Sequence, residues 1–312
     1  MLILTTVIYI TNLFKVINKH YFLLHILVFI WGFTPVLGRY ISANTWQLVW
    51  YRIFIALLVM FIYLKFTKHE FKVSFKHFWQ LSGIGIIILI HWLAFYHAIK
   101  VSNISVTMVA FSSGTLFSSI IEPIIYKRAI RYYEVIIGLI IIAAIGLIFS
   151  IESEFWLGIL LGIIAAFTSS LFGVFNGILT HQLKSGIISF YELSAALIGL
   201  SIFIILTGNL NAEFFILDNA SLNGILLLSL VCTVFPFIAA VDLSKHISPY
   251  TITLTLNIET VYGIIWAIIL YNENKEVKPT FYIGVIIIFI AIFLNSYLKK
   301  RNDKKHKELK FH

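Results

Sequence analysis

The chain has 312 residues, of which 60% are hydrophobic and 12% charged, and its formal net charge is +9. With a mean hydropathy of +0.96 it is too apolar for an ordinary soluble domain, where about a quarter of residues are charged. A nucleic-acid-binding reading fails because the basic residues cluster at the ends of apolar runs, and the one cysteine, Cys232, lies inside such a run, which excludes disulfides and cysteine-ligated metals within one chain.

The opening residues, MLILTTVIYITNLFKVINKH, contain an apolar run of about nine residues, too short to cross roughly 30 Å of hydrocarbon. They lack the basic leader and small-residue cleavage site of a signal peptide, so residues 1–19 read as an interfacial leader or as sequence upstream of the working start. Ten runs of suitable length follow, at about 20–40, 46–66, 78–99, 104–126, 133–151, 156–180, 187–207, 222–243, 249–271 and 280–298. They predict an all-α integral membrane protein of ten transmembrane helices. Pro35, Pro123 and Pro236 fall inside runs, where proline removes a hydrogen bond and bends a helix. Gly158 with Gly162, and Gly173 with Gly177, form two small-xxx-small ridges on the sixth run. Glu122 stands a turn before Lys127 and Arg128, and Asp242 precedes Lys245, so each is expected to form an ion pair at a helix end.

With the N-terminus inside, the cytoplasmic side collects most of the Lys and Arg residues, including Lys65, Lys72, Lys127, Arg128 and Lys184. The opposite side holds Arg39, Lys100, Lys275 and Lys278. That is the positive-inside asymmetry, and it predicts both termini in the cytoplasm. The basic tail 299–312, KKRNDKKHKELKFH, is expected to hold its end against an anionic leaflet.

Laying residues 98–150 over 244–296 without a gap pairs Ser102 with Ser248, Thr107 with Thr253, Gly138 with Gly284 and the III at 140–142 with that at 286–288. Polar breaks fall at the same offset. Two halves, 20–151 and 156–298, then hold five spans each, and the odd number makes the second half enter the membrane from the opposite side. Such inverted repeats place a transported solute near the midplane, where the halves meet.

The segments FIWGFTPVLGRYIS, QLVWYRIFIALL, HWLAFYHAIKVSNISVT and VCTVFPFIAAVDLSKHISPYTITLTLNIETVYGIIWAIILYNE carry a resemblance to the EamA branch of the drug/metabolite transporter superfamily. It covers about residues 20–298 and is most specific in SPYTITLTLNIETVYGIIWA, where relatives tend to carry Asn-x-Glu-Pro-Val-Tyr-Gly. Here Thr260 stands where that proline is common, which leaves a helix break at this point open. The resemblance implies a bundle of two inverted five-helix halves with a central cavity lined mainly by helices 1, 3, 4, 6, 8 and 9. Relatives move small metabolites, often amino acids outward, and others carry different solutes.

Glu259 is near the middle of the ninth span, where an ionised side chain costs several kcal/mol and must face protein or water. It is either a site for a coupling proton or a hydrogen-bonding link between helices, with Asn257 beside it. His91 sits at a depth that could meet Glu259 and pass a proton, or it is satisfied by one backbone carbonyl. Arg52 and Glu192 occupy matching places, YRIFIA and YELSAA, at opposite depths, so they are not expected to pair. Arg52 either snorkels to the surface or faces the cavity and attracts carboxylate-bearing solutes. Trp31 and Phe111 are candidates for the cavity lining.

Zinc-protease, nucleophile-elbow and phosphate-loop motifs do not occur in the sequence, and no enzyme activity, cofactor or metal is expected. The reading is a secondary transporter of the inner (plasma) membrane, an exporter of small amino-acid-like solutes working by alternating access, coupled to protons through Glu259. Its partners are a small-molecule solute, protons and membrane lipids, and it is a monomer or homodimer. The alternatives are a lipid flippase or scramblase, and a polytopic enzyme using Glu259 and His91.

Overall fold

The computed structural model describes residues 19–308, so residues 1–18 of the expected leader and the last four residues of the tail lie outside it. Among the described residues every regular element is helical. Among the described residues nine helices are long and apolar enough to cross a membrane: α1 (Lys19–Tyr40), α2 (Thr45–Phe66), α3 (Phe75–Val101), α4 (Ile104–Tyr126), α5 (Tyr132–Ser150), α6 (Ser153–Leu179), α7 (Ser185–Leu206), α8 (Asn219–Leu243) and α9 (Pro249–Tyr271). The tenth, α10 (Phe281–Glu308), has a shorter apolar part, Phe281–Asn295. The ten expected runs thus correspond to α1–α10, with shifts at the ends set by caps. α3 begins earlier than hydropathy alone indicates because the Ser74 side chain accepts the His77 N–H.

Three spans are irregular, and each irregularity has a local cause. In α1 the helix breaks at Gly32–Phe33 and restarts at Thr34, with Pro35 in the new first turn, where its missing N–H costs nothing. Gly32 is required there, since a Cβ would lie 2.7 Å from the Cβ of Tyr262 on α9. In α4 the break at Ser112–Ser113 coincides with a 2.6 Å bond from the Ser112 hydroxyl to the Val109 carbonyl, a side-chain competitor for the backbone ladder. In α8 the turn before Pro236 widens into a π-helical segment, Leu230–Val234. α9 runs unbroken through Thr260, whose hydroxyl donates to the Met108 carbonyl at 3.2 Å.

The packing repeats with a period of five helices. α3 packs on α6 as α8 packs on α1; α3 meets α7 as α8 meets α2; α4 packs on α6 as α9 packs on α1. α2–α7, α4–α9 and α5–α10 meet their own counterparts. This is the arrangement that two repeats related by a twofold axis produce. On α6, Gly162 permits the approach to α4, because a Cβ there would come within 2.6 Å of the Ala110 Cβ.

At each end of the bundle a carboxylate from one half closes a helix start in the other. Glu273, fully buried, accepts the Ile104 and Ser105 N–H groups of α4 at 2.9 and 2.8 Å and the Ser105 hydroxyl at 2.7 Å. Arg39 of α1 reaches Glu273 at 2.5 Å and Glu276 at 2.6 Å. At the other end Glu122 of α4 accepts the Tyr250 N–H of α9 at 2.5 Å and pairs with Arg128 at 3.1 Å. Ile104 and Tyr250 coincide in the registration that pairs Ser102 with Ser248. Glu122 therefore does more than pair with Arg128: it also caps α9. Asp242 pairs with Lys245 at 2.7 Å, as the spacing predicts.

Removing a buried partner from a charged hydrogen-bonded set strands the others. Glu273→Ala should cost about 3 kcal/mol, while Glu276→Ala, at a partly exposed pair, should cost less than about 1 kcal/mol; thermal unfolding in detergent compares them. Asp218, which caps α8 and accepts from Ser42 and Ser221, is held down from its ordinary 3.8 to about 2 by those hydrogen bonds. Its folded value is depressed, so its stabilisation is complete above the ordinary value and is lost as pH falls through about 2. The melting-temperature gap between wild type and Asp218→Asn should close over that window.

Candidate functional site

A central cavity, about 940 Å³ of empty space including its open mouth, lies between the halves. Its walls come from the helices the resemblance implied, α1, α3, α4, α6, α8 and α9, and from α2, which contributes Arg52. On α9 the wall runs from Pro249 to Glu259, about 15 Å of helix from its first turn to its middle. Ser244 lines the same end, whereas Arg39, Lys100 and Glu273 do not line the cavity. The cavity therefore reaches from the midplane toward the Arg128 end, and the Arg39–Glu273 contact lies at the opposite end of the bundle, apart from its lining.

Arg52 is 4% exposed and does not snorkel. Its Nε donates to the Thr233 hydroxyl at 2.8 Å, Nη1 donates to the Tyr96 hydroxyl at 2.7 Å, and the guanidinium lies over Trp92 at 4.0 Å. The π segment of α8 makes this arrangement possible. Thr233 sits inside it, donating to the Leu228 carbonyl five residues back while accepting from Arg52. Pro236 has no N–H for the Cys232 carbonyl four residues earlier, and that carbonyl accepts Trp31 Nε1 at 3.1 Å. Among the described residues Arg52 has no ion-pair partner.

Glu259 lines the same cavity, is 5% exposed, and has neither a hydrogen bond nor an ion pair among the described residues. His91 also lines it, but Nδ1 meets the Ala165 carbonyl at 2.8 Å and no hydrogen bond joins the imidazole to Glu259. The ring sits among Phe95, Phe111 and Phe172. Trp31 and Phe111 both line the cavity. Asn257 turns instead toward α4, donating to the Thr115 hydroxyl at 2.6 Å, and borders a smaller space with Phe111, Gly114 and Ser169. Glu192 is fully buried behind the wall, 3.4 Å from the Asn176 amide, and does not pair with Arg52.

Sequence reasoning did not single out Tyr96, Thr233 and Asn176. Tyr96 carries a readable signal, since it follows Trp92 by four residues and so shares its helix face. Thr233 has no signal of its own, because its position depends on the widened turn.

Inverted five-helix halves around a central cavity define a membrane-transporter architecture. The chain belongs to the EamA-like transporter family, whose profile matches it twice, over residues 18–150 and 156–297. It is thus a membrane transporter of the drug/metabolite type. A solved chain described simply as a crystal structure of a protein superposes with a TM-score of 0.67, covering 91% of this chain and 98% of its own length at 12% identity, which shows a shared fold. None of the curated proteins matches it significantly.

Thr233→Val should leave the Arg52 Nε without an acceptor at a cost of about 1–3 kcal/mol. Thr233→Ser should melt close to wild type in the same detergent assay.

Proposed function

We propose that this chain is a secondary transporter of the inner (plasma) membrane that exports small amino-acid-like metabolites by alternating access, with Glu259 carrying a coupling proton. The observation that carries the reading is that Arg52 and Glu259, of opposite charge type, border one cavity within electrostatic reach of each other, yet among the described residues neither closes an ion pair. A buried guanidinium gains from a counter-charge, and a solute carboxylate supplies it. Glu259 faces the same solute and takes either its ammonium group or a proton.

The positive-inside pattern supports cytoplasmic termini, which would turn the cavity mouth toward the cytoplasm, the loading side for an exporter. Release on the other side requires the Arg39–Glu273 contact to part while the halves rock about the cavity. The aromatic lining of Trp31, Trp92, Phe95 and Phe111 suits a solute with an apolar body.

The test is uptake and efflux of a metabolite panel in proteoliposomes under an imposed pH gradient. Glu259→Gln should lose gradient-driven accumulation while retaining solute exchange. Arg52→Gln should raise KM for carboxylate solutes by about tenfold to a hundredfold, the worth of one charged hydrogen bond. Gradient-driven transport by Glu259→Gln equal to wild type would remove Glu259 from the coupling.

A further inference from the structure

At and behind the cavity wall, three buried oxygens on α6 and α7 have no hydrogen-bond partner among the described residues: Asn176 Oδ1, Ser189 Oγ and Glu192 Oε1. Their residues are 2%, 0% and 0% exposed. Ser189 precedes Glu192 by three residues and shares its helix face, and the Asn176 amide meets the Glu192 carboxyl at 3.4 Å. Elsewhere on α7 the Ser194 and Ser201 hydroxyls each bond the carbonyl four residues back at 2.7 Å; Ser189 does not. No ion pair forms at Glu192 among the described residues.

From this cluster we infer that Asn176, Ser189 and Glu192 form a binding site for one small monovalent cation, Na⁺ by its preference for hard oxygen ligands. An ionised carboxylate at this depth needs a compensating charge. A proton on Glu192 would make the carboxyl a donor to one neighbouring oxygen, and the Ser189 hydroxyl carries its own proton; a cation instead takes all three oxygens as ligands, and a response to Na⁺ tells the two cases apart. One carboxylate balances one positive charge; Ca²⁺ and Mg²⁺ sites gather more ligands and more negative charge. Asn176 also lines the central cavity, so the ion enters past its side chain and completes its coordination with water from there. The first half has its own fixed cation at the matching position, Arg52, where the second half has Glu192. The inference adds an ion to the transport reading and rests on it only for the ion's use, because binding is measured without transport.

Purified protein is melted in detergent in sodium chloride and in choline chloride of equal ionic strength at about pH 8, well above the ordinary glutamate range, alongside equilibrium binding of radioactive Na⁺. Saturating Na⁺ should raise the melting temperature by roughly 3 °C or more, with one ion bound per chain. Glu192→Gln should abolish both effects, and Ser189→Ala, which changes little volume and serves if the first variant does not fold, should weaken binding about tenfold, the value of one ligand contact. Glu70→Gln, at the surface, should bind Na⁺ normally. Identical melting in the two salts, a response to pH with none to Na⁺, or undiminished binding by Ser189→Ala would overturn the site. Solute uptake measured separately in sodium-free buffer reports on the transport reading, so the two fail independently.

Discussion

Inside an apolar slab a helix start is costly, because its first N–H groups have no intrahelical partner and little water to turn to. α4 and α9 both begin within the bundle, and each is closed by a carboxylate that arrives from the end of the other: Glu273 on Ile104 and Ser105, Glu122 on Tyr250. The anionic groups complement the positive ends of the helix dipoles, and arginines hold them in place. Since the two helices belong to different halves, satisfying the backbone also clasps the halves together at both ends. The cavity occupies the space between the clasps.

What the cavity presents follows from a second backbone effect. Pro236 interrupts the ladder of α8, and the widened turn before it turns polar groups inward that a regular helix would consume. One, the Cys232 carbonyl, fixes Trp31. Another, the Thr233 hydroxyl, holds Arg52 against Trp92 and Tyr96. A charged side chain is thereby kept at the cavity rather than at the membrane surface. Glu259 comes to the same space from a continuous helix, with no such support around its carboxyl.

The class of the fold was legible from apolar run lengths, and the inverted repeat from shared punctuation at one offset. Glu259 stood out because acidic residues are rare at midplane depth. The orientation of Arg52 did not, because α2 is apolar around most of its circumference and its period marks no inner face; the acceptors of Arg52 lie on α3 and α8. The role of Glu273 was equally hidden. It reads as one more acidic residue in a loop until α4, far away in the chain, is brought to it. His91 and Asn257 were placed at plausible depths, but depth does not say which neighbour a side chain meets. His91 meets the Ala165 carbonyl and Asn257 meets Thr115.

The central claim is that one cavity is exposed in turn at the two ends, with the Arg39–Glu273 clasp keeping one of them shut. Gly173 lines the cavity, and a Cβ built on it has no neighbour within 4 Å. Gly173→Cys in a Cys232→Ser background therefore gives a thiol in open space, and its reaction with a membrane-impermeant maleimide can be timed from each side of the membrane. The account predicts labelling mainly from the Arg128 side, with labelling from the opposite side rising severalfold when Arg39→Gln is added. Labelling confined to one side with Arg39 intact and with it replaced would contradict it.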